Sequence, residues 1–289
     1  MLALLLLPAP AAGQVPVPPL SGVQRGAFRW ERWEVRDADK RQWLGRVRFC
    51  DSCDALVASD LAPWHVVDLD GDGRPELVRT EGNPPGLETT EGRAYRNTSR
   101  GMVVQTWGEA RIVGLVPLAA GPGAYLVLKS APFGMCESAA TWLAFLRPAD
   151  TTDSVPFREE SRVHLTDLVT WPQTWLQVPV RVRVTQEQYN MRAAPLVDDT
   201  SRSSDGCDQP IRGNVVATFG LGATGVALAQ QRVGERIWYF LVTDPGASLT
   251  STFGFGDRPG ARVAGWMSSR WLETIPTATL PARPAAPPR

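Results

Sequence analysis

Four carboxylates fall within nine positions of VVDLDGDGRPELV, residues Val66 to Val78. Counted from Asp68, oxygen-bearing side chains stand at positions one, three and five (Asp68, Asp70, Asp72), a glycine at six (Gly73) and Glu76 at nine. Calcium is a hard cation that takes roughly six to eight oxygens at about 2.3–2.6 Å, and a tightly wound loop with alternating carboxylates turns them all inward. Gly73 permits the sharp turn such winding needs, and the main-chain carbonyl of Arg74 adds a ligand at position seven. Clustered carboxylates repel one another, so an ion here stabilises the loop. The expectation is a structural Ca2+ held by Asp68, Asp70, Asp72, Arg74 (through its carbonyl) and Glu76; a metal-free polar turn is the other reading.

Other chemistry-bearing residues are few. Cys50 and Cys53 form a C-x-x-C, while Cys136 and Cys207 stand alone, so the paired spacing of a four-cysteine zinc ribbon is absent. Asp51 and Asp54 beside the C-x-x-C work against the lowered thiol pKa that redox pairs need. In an exported chain the four are expected in disulfides. Cys50–Cys53 with Cys136–Cys207 is the preferred pairing among the three connectivities that four cysteines permit. The two histidines, His65 and His164, sit in ordinary strand or turn contexts, and no G-x-S-x-G elbow is present.

The elements that must hold these residues read as β-structure. The chain of 289 residues contains 11 tryptophans and 25 prolines, spread among short Val/Leu/Ile/Phe runs broken by glycine, and helix signals are scarce. FRWERWEV and QWLGRVRF suggest a hairpin, the second with period-two burial at Trp43, Gly45, Val47 and Phe49. The acidic loop is the turn of another. MVVQTW, RIVGLVPL, AYLVLKS and TWLAFLRP then form a meander of short strands.

At the N-terminus an apolar run, Leu2 to Leu7, precedes small residues around Ala9–Ala11, the pattern of a signal peptide over 1–13. A Pro-rich linker without helical or strand period follows over 14–26, and a Pro/Ala-rich, disordered tail is expected over 276–289. No transmembrane segment is expected once the signal is removed, which places the protein outside the cell or in the periplasm and cell envelope. Thirty basic and thirty acidic residues cancel. Such a balance lacks the basic footprint that nucleic acid or an anionic membrane calls for.

Two resemblances add to this. DLDGDGRPELV resembles the D-x-D-x-D-G-x-x-(D/E) hairpin loop of FG-GAP and VCBS-like repeats, with Glu76 in place of the more usual Asp. It is not an EF-hand, because position twelve there is a bidentate Glu and here it is Arg79. Only one copy is present, so the resemblance implies the calcium hairpin and not a propeller. Beyond residue 175, Tyr189-Asn190-Met191-Arg192-Ala193-Ala194-Pro195, Ala223 to Leu228, Arg236 to Val242 and Gly265 to Leu272 resemble, in order, the successive motifs of the bacterial SH3 (SH3b) domain. Insertions lie at Leu196–Gly213 and Thr243–Val263, where that family has loops.

The expected fold is all-β: an N-terminal β-meander or sandwich-like domain over 27–175 and an SH3-like small barrel over 176–275. The second resemblance implies recognition, with Tyr189, Trp238 and Trp266 offering flat apolar contact and Arg192 a planar donor for carboxylates; the same residues read equally as the core and bracing of a small barrel. The function expected is that of an exported, non-catalytic binding protein whose partner is a cell-wall peptide or an envelope protein. A purely structural envelope component is the alternative, and a wall hydrolase the least favoured.

Overall fold

The computed structural model of the chain describes residues 19–24, 40, 64–79, 91–98, 101–108, 110–118, 123–130, 140–149, 155–204, 210–247, 249–251 and 262–276. The four cysteines, the FRWERWEV/QWLGRVRF hairpin, the signal segment and nearly all of the Pro/Ala-rich tail lie outside the described residues. The fold is all-β, as the sequence predicts, and the described residues form two eight-stranded sheets and a two-stranded ribbon.

The first sheet contains β1 (Trp64–Val67), β2 (Glu76–Arg79), β3 (Glu91–Thr98), β4 (Gly101–Gly108), β5 (Ala110–Pro117), β6 (Ala124–Ser130), β7 (Ala140–Pro148) and β8 (Phe157–Thr166). Its order is β1-β2-β3-β5-β6-β7-β8, with β4 paired to β3. MVVQTW, RIVGLVPL, AYLVLKS and TWLAFLRP fall on β4 to β7, which is the expected meander. Within the stretch expected to be an aperiodic linker, Leu20–Gln24 closes one helical turn, α1; the amide of Gly22 donates to Pro19 O and Leu20 is fully buried.

The second sheet is formed by β9 (Val180–Val184), β10 (Tyr189–Arg192), β13 (Val215–Phe219), β14 (Thr224–Val233), β15 (Arg236–Thr243), β16 (Leu249–Ser251), β17 (Ala264–Ser268) and β18 (Leu272–Thr274). The ribbon of β11 (Arg202–Ser204) and β12 (Pro210–Arg212) stands apart inside the first insertion. The sheet order is β16-β13-β10-β17-β15-β14-β9-β18, and a 3-10 turn at Ser269–Trp271 separates β17 from β18. Gly265 lets β17 come up to β10: a Cβ there would lie 2.7 Å from Met191 Cγ and 3.0 Å from the Arg192 carbonyl oxygen.

Side chains alternate across a strand, so a strand covered on both faces must be apolar throughout. RIWYFLVT in β15 fits that rule. Trp238, Phe240 and Val242 face one cluster, shared with Val127, Leu143, Phe145, Val163 and Leu165 of the first sheet. Leu241 and Tyr239 face another, with Val182, Met191, Ala217, Phe219 and Met267, which fills the inside of the second sheet. β17 repeats this, sending Ala264 and Trp266 one way and Met267 the other. The two sheets therefore share a core.

Residues 167–179 run between the sheets, where the sequence puts the domain boundary. They are pinned rather than loose: the Thr170 amide donates to Ala193 O and the Leu176 amide to Leu228 O. Trp171 and Trp175 pack on Phe240 with ring centroids 5.9 and 5.8 Å away. Removing this central ring in Phe240→Ala is expected to cost about 3–5 kcal/mol, measured by urea denaturation; a loss below ~1 kcal/mol would show that the ring is not packed as described.

Candidate functional site

Two places concentrate functional side chains. The first is the acidic loop, which joins β1 to β2 in antiparallel register, Val67 opposite Glu76. The loop winds as the sequence predicts, with Gly71 and Gly73 at φ 77° and 80°, in the left-handed region that glycine adopts without strain. Asp68 organises it: Oδ1 accepts from the amides of Gly71 (2.8 Å) and Asp72 (3.2 Å), and Oδ2 accepts from Gly73 (3.0 Å). Glu76 is buried at 2 % exposure, where its Oε2 accepts from the Leu69 amide at 2.9 Å. Opposite, the Leu69 carbonyl accepts from Ala124 at the head of β6, so the loop is tied to the body of the sheet.

Asp68, Asp70 and Glu76 each present a carboxylate oxygen, and these atoms lie within 4.8 Å of one another. The Asp72 side chain stands outside this group of side-chain ligands, which does not bear on the Arg74 carbonyl. The Asp72 carboxylate instead accepts from the Arg74 amide at 2.7 Å, and both residues are exposed. Sequence reasoning missed the cation that is already present. Arg96, buried in β3, places Nη2 2.6 Å from Asp70 Oδ2 and Nε 3.5 Å from Glu76 Oε1. No spacing rule marks it, since it lies 26 residues from Asp70 and arrives only through strand pairing.

These residues fit a divalent ion by charge. Three ionised carboxylates against one guanidinium leave two negative charges, which one such ion balances. Burial raises the pKa of Glu76 to about 8, with repulsion from Asp70 and Asp68 adding to it and the Leu69 amide and Arg96 opposing. Asp70 is also raised, first by burial and then by Asp72, while the Asp72 amide and Arg96 pull the other way.

The second place is a cleft at the rim of the second sheet, of about 160 Å³, where β10, the start of β15 and the Ser269–Trp271 turn meet. Tyr189, Arg192 and Trp238, three of the four residues expected to touch a ligand, line it together. Trp266 does not join them. Its place on β17 turns it to the face covered by the first sheet, where it is fully buried and its indole Nε1 donates to Thr170 O at 2.6 Å. In its stead the cleft has Trp271, 39 % exposed, at the end of the 3-10 turn. The period-two pattern that exposes alternate residues stops at that turn, which hid Trp271 from a strand-based reading.

Within the cleft, the Tyr189 hydroxyl donates to Ser268 O at 2.8 Å, and burial raises its pKa, so it stays a phenol. Arg192 is only 7 % exposed, and its guanidinium is engaged. Nη1 donates to Asp198 O (3.0 Å) and Asn214 Oδ1 (2.8 Å), and Nη2 pairs with Asp199 at 3.0 Å. It braces the inserted loop. Asp198 holds that loop from the other side: the Ser201 hydroxyl and the Ser201 and Thr200 amides lower its pKa to about 2. Gln188, at the cleft edge, is the one non-glycine residue with positive φ (53°) among the described residues. His65 in β1 faces Val78 and His164 in β8 faces Trp142, both away from the residues lining this cleft.

Because Glu76 is protonated more readily folded than unfolded, stability without a divalent ion is highest below its ordinary 4.5, falls as pH rises from there to about 8, and levels off above. In a chelator-containing buffer, urea denaturation is expected to show this loss, of the order of a few kcal/mol, and Glu76→Gln to flatten it. A profile equally steep in Glu76→Gln would remove the assignment. The chain matches no known family model, no curated protein sequence and no solved structure.

Proposed function

We propose that this is an exported, non-catalytic binding protein whose second sheet forms an SH3-like barrel that recognises a cell-wall peptide or an envelope protein partner through its rim cleft. The observation that carries the reading is the cleft itself, where half-buried Tyr189, the edge of the otherwise buried Trp238 and exposed Trp271 meet beside Val197, which is 50 % exposed. Aromatic rings with polar tips at such a rim give flat apolar contact together with orientation. Support also comes from the strand order, in which β18 pairs with β9, β9 with β14, β14 with β15 and β15 with β17, and from the 3-10 turn before β18. Among the described residues no helix is long and apolar enough to cross a membrane.

The rival reading, a structural component that binds nothing free, draws on the shared core, which buries one face of the barrel against the first sheet. That contact leaves the rim cleft open, and the binding reading is therefore preferred. In a pull-down on purified cell wall, the intact chain is expected to be retained and Trp271→Ala to be lost with unchanged far-UV circular dichroism. Absence of retention by the intact chain, or undiminished retention of the variant, would overturn it.

The acidic loop supports the scaffold in this reading, with calcium as the divalent ion that its oxygen ligands suit. For a site in the affinity range of extracellular modules, excess millimolar calcium is expected to raise the melting temperature by about 3–8 °C. Asp70→Asn keeps an acceptor for Arg96 while removing charge, and is expected to abolish the shift. No shift in the intact chain would refute the metal.

A further inference from the structure

Resting on the reading of the barrel as a binding module, we infer that the cleft takes a short extended peptide bearing carboxylates, which Arg236 and Arg270 hold across the aromatic floor of Tyr189, Trp238 and Trp271. The residues lining the cleft include three arginines and no acidic side chain. One of the three, Arg192, is taken up by Asp198, Asn214 and Asp199. The other two are exposed, and neither has a carboxylate partner among the described residues. Arg270 lies over the Trp271 ring at 5.3 Å, which orients its guanidinium at the rim while leaving its N–H fork free.

Four arginines elsewhere on the same sheets are neutralised by carboxylates, whereas Arg111 and Arg232 are exposed singly; what sets Arg236 and Arg270 apart is that they line one aromatic cleft together. Arg147 pairs with Glu160, Arg162 with Glu159, Arg181 with Asp244 and Arg183 with Glu273. In a chain of zero formal net charge, two guanidiniums without a carboxylate partner among the described residues, on one aromatic cleft, form a local positive field that favours an anion. Guanidinium forks match carboxylate geometry in two parallel hydrogen bonds. The apolar and aromatic walls, Val197 among them, select a chain with side chains to bury over a bare inorganic anion. A volume of about 160 Å³ is below the roughly 300–1,000 Å³ of a pocket that encloses a whole small ligand, so it suits an extended chain that crosses an open rim. Two arginines are also too few for a nucleic-acid track.

The test is an NMR titration of the intact chain with three acetylated, amidated hexapeptides that differ only at positions two and four, which carry Glu, Gln or Lys. The Glu peptide is expected to shift the Trp271 indole signal and to bind at least about tenfold more tightly than the Gln peptide, since charge-assisted hydrogen bonds are worth more than neutral ones. Added salt is expected to reduce that margin, Arg236→Ala with Arg270→Ala to erase it, and Arg236→Glu with Arg270→Glu to turn the preference toward Lys. If the Gln or Lys peptide moves the Trp271 indole as strongly as the Glu peptide, the carboxylate assignment is overturned and the cleft still binds peptide. If none of the three moves it, this inference falls together with the peptide-binding reading of the cleft.

Discussion

Burial of β15 and β17 on both faces is the constraint from which the rest of the molecule follows. A strand whose alternate residues serve two cores can neither slip by one residue nor twist away, because either movement would exchange the contents of both. Trp238, Phe240 and Val242 commit β15 to the first sheet, and Leu241 commits it to the inside of the second. With one face of the second sheet thus covered, the rim where β15 begins and β17 ends is left to meet solvent. The cleft lies there, framed by Trp271 on its short turn and Tyr189 at the head of β10.

The acidic loop shows how a sheet manages charge it cannot expose. Glu76 closes the loop by accepting the Leu69 amide, and that bond carries it into a buried position where ionisation is costly. Arg96 reaches the same place from β3 and partly offsets the cost, through contacts to both Asp70 and Glu76. A divalent ion and a guanidinium are not alternatives here. The count of charges leaves room for both, and the amide bonds to Asp68 hold the loop in shape.

Much of this was legible in the sequence. Short apolar runs located β4 to β7, the D-x-D-x-D-G spacing located the β1–β2 turn, and the motif order beyond residue 175 located the strands around the cleft. What escaped was whatever depends on pairing over distance. Arg96 reaches the loop only because β2 and β3 are neighbours, with Leu77 opposite Tyr95. Trp266 and Trp271 sit five residues apart, yet one is fully buried on β17 against the first sheet and the other lies on a rim at the end of the 3-10 turn. That Arg192 is engaged by Asp198, Asn214 and Asp199, while Arg236 and Arg270 have no carboxylate partner among the described residues, likewise follows from which loop folds back where.

Native-state hydrogen exchange, resolved for backbone amides and tryptophan indoles, tests the two-faced burial most directly. The expected result is that the amides of β15 and β17 and the Trp266 indole N–H open with the same free energy as β7 and β8, at the level of global unfolding, while the Trp271 indole exchanges fast. Opening of β15 and β17 at a much lower free energy than β7 and β8 would contradict the account, because it would mean that the second sheet folds and unfolds without the first.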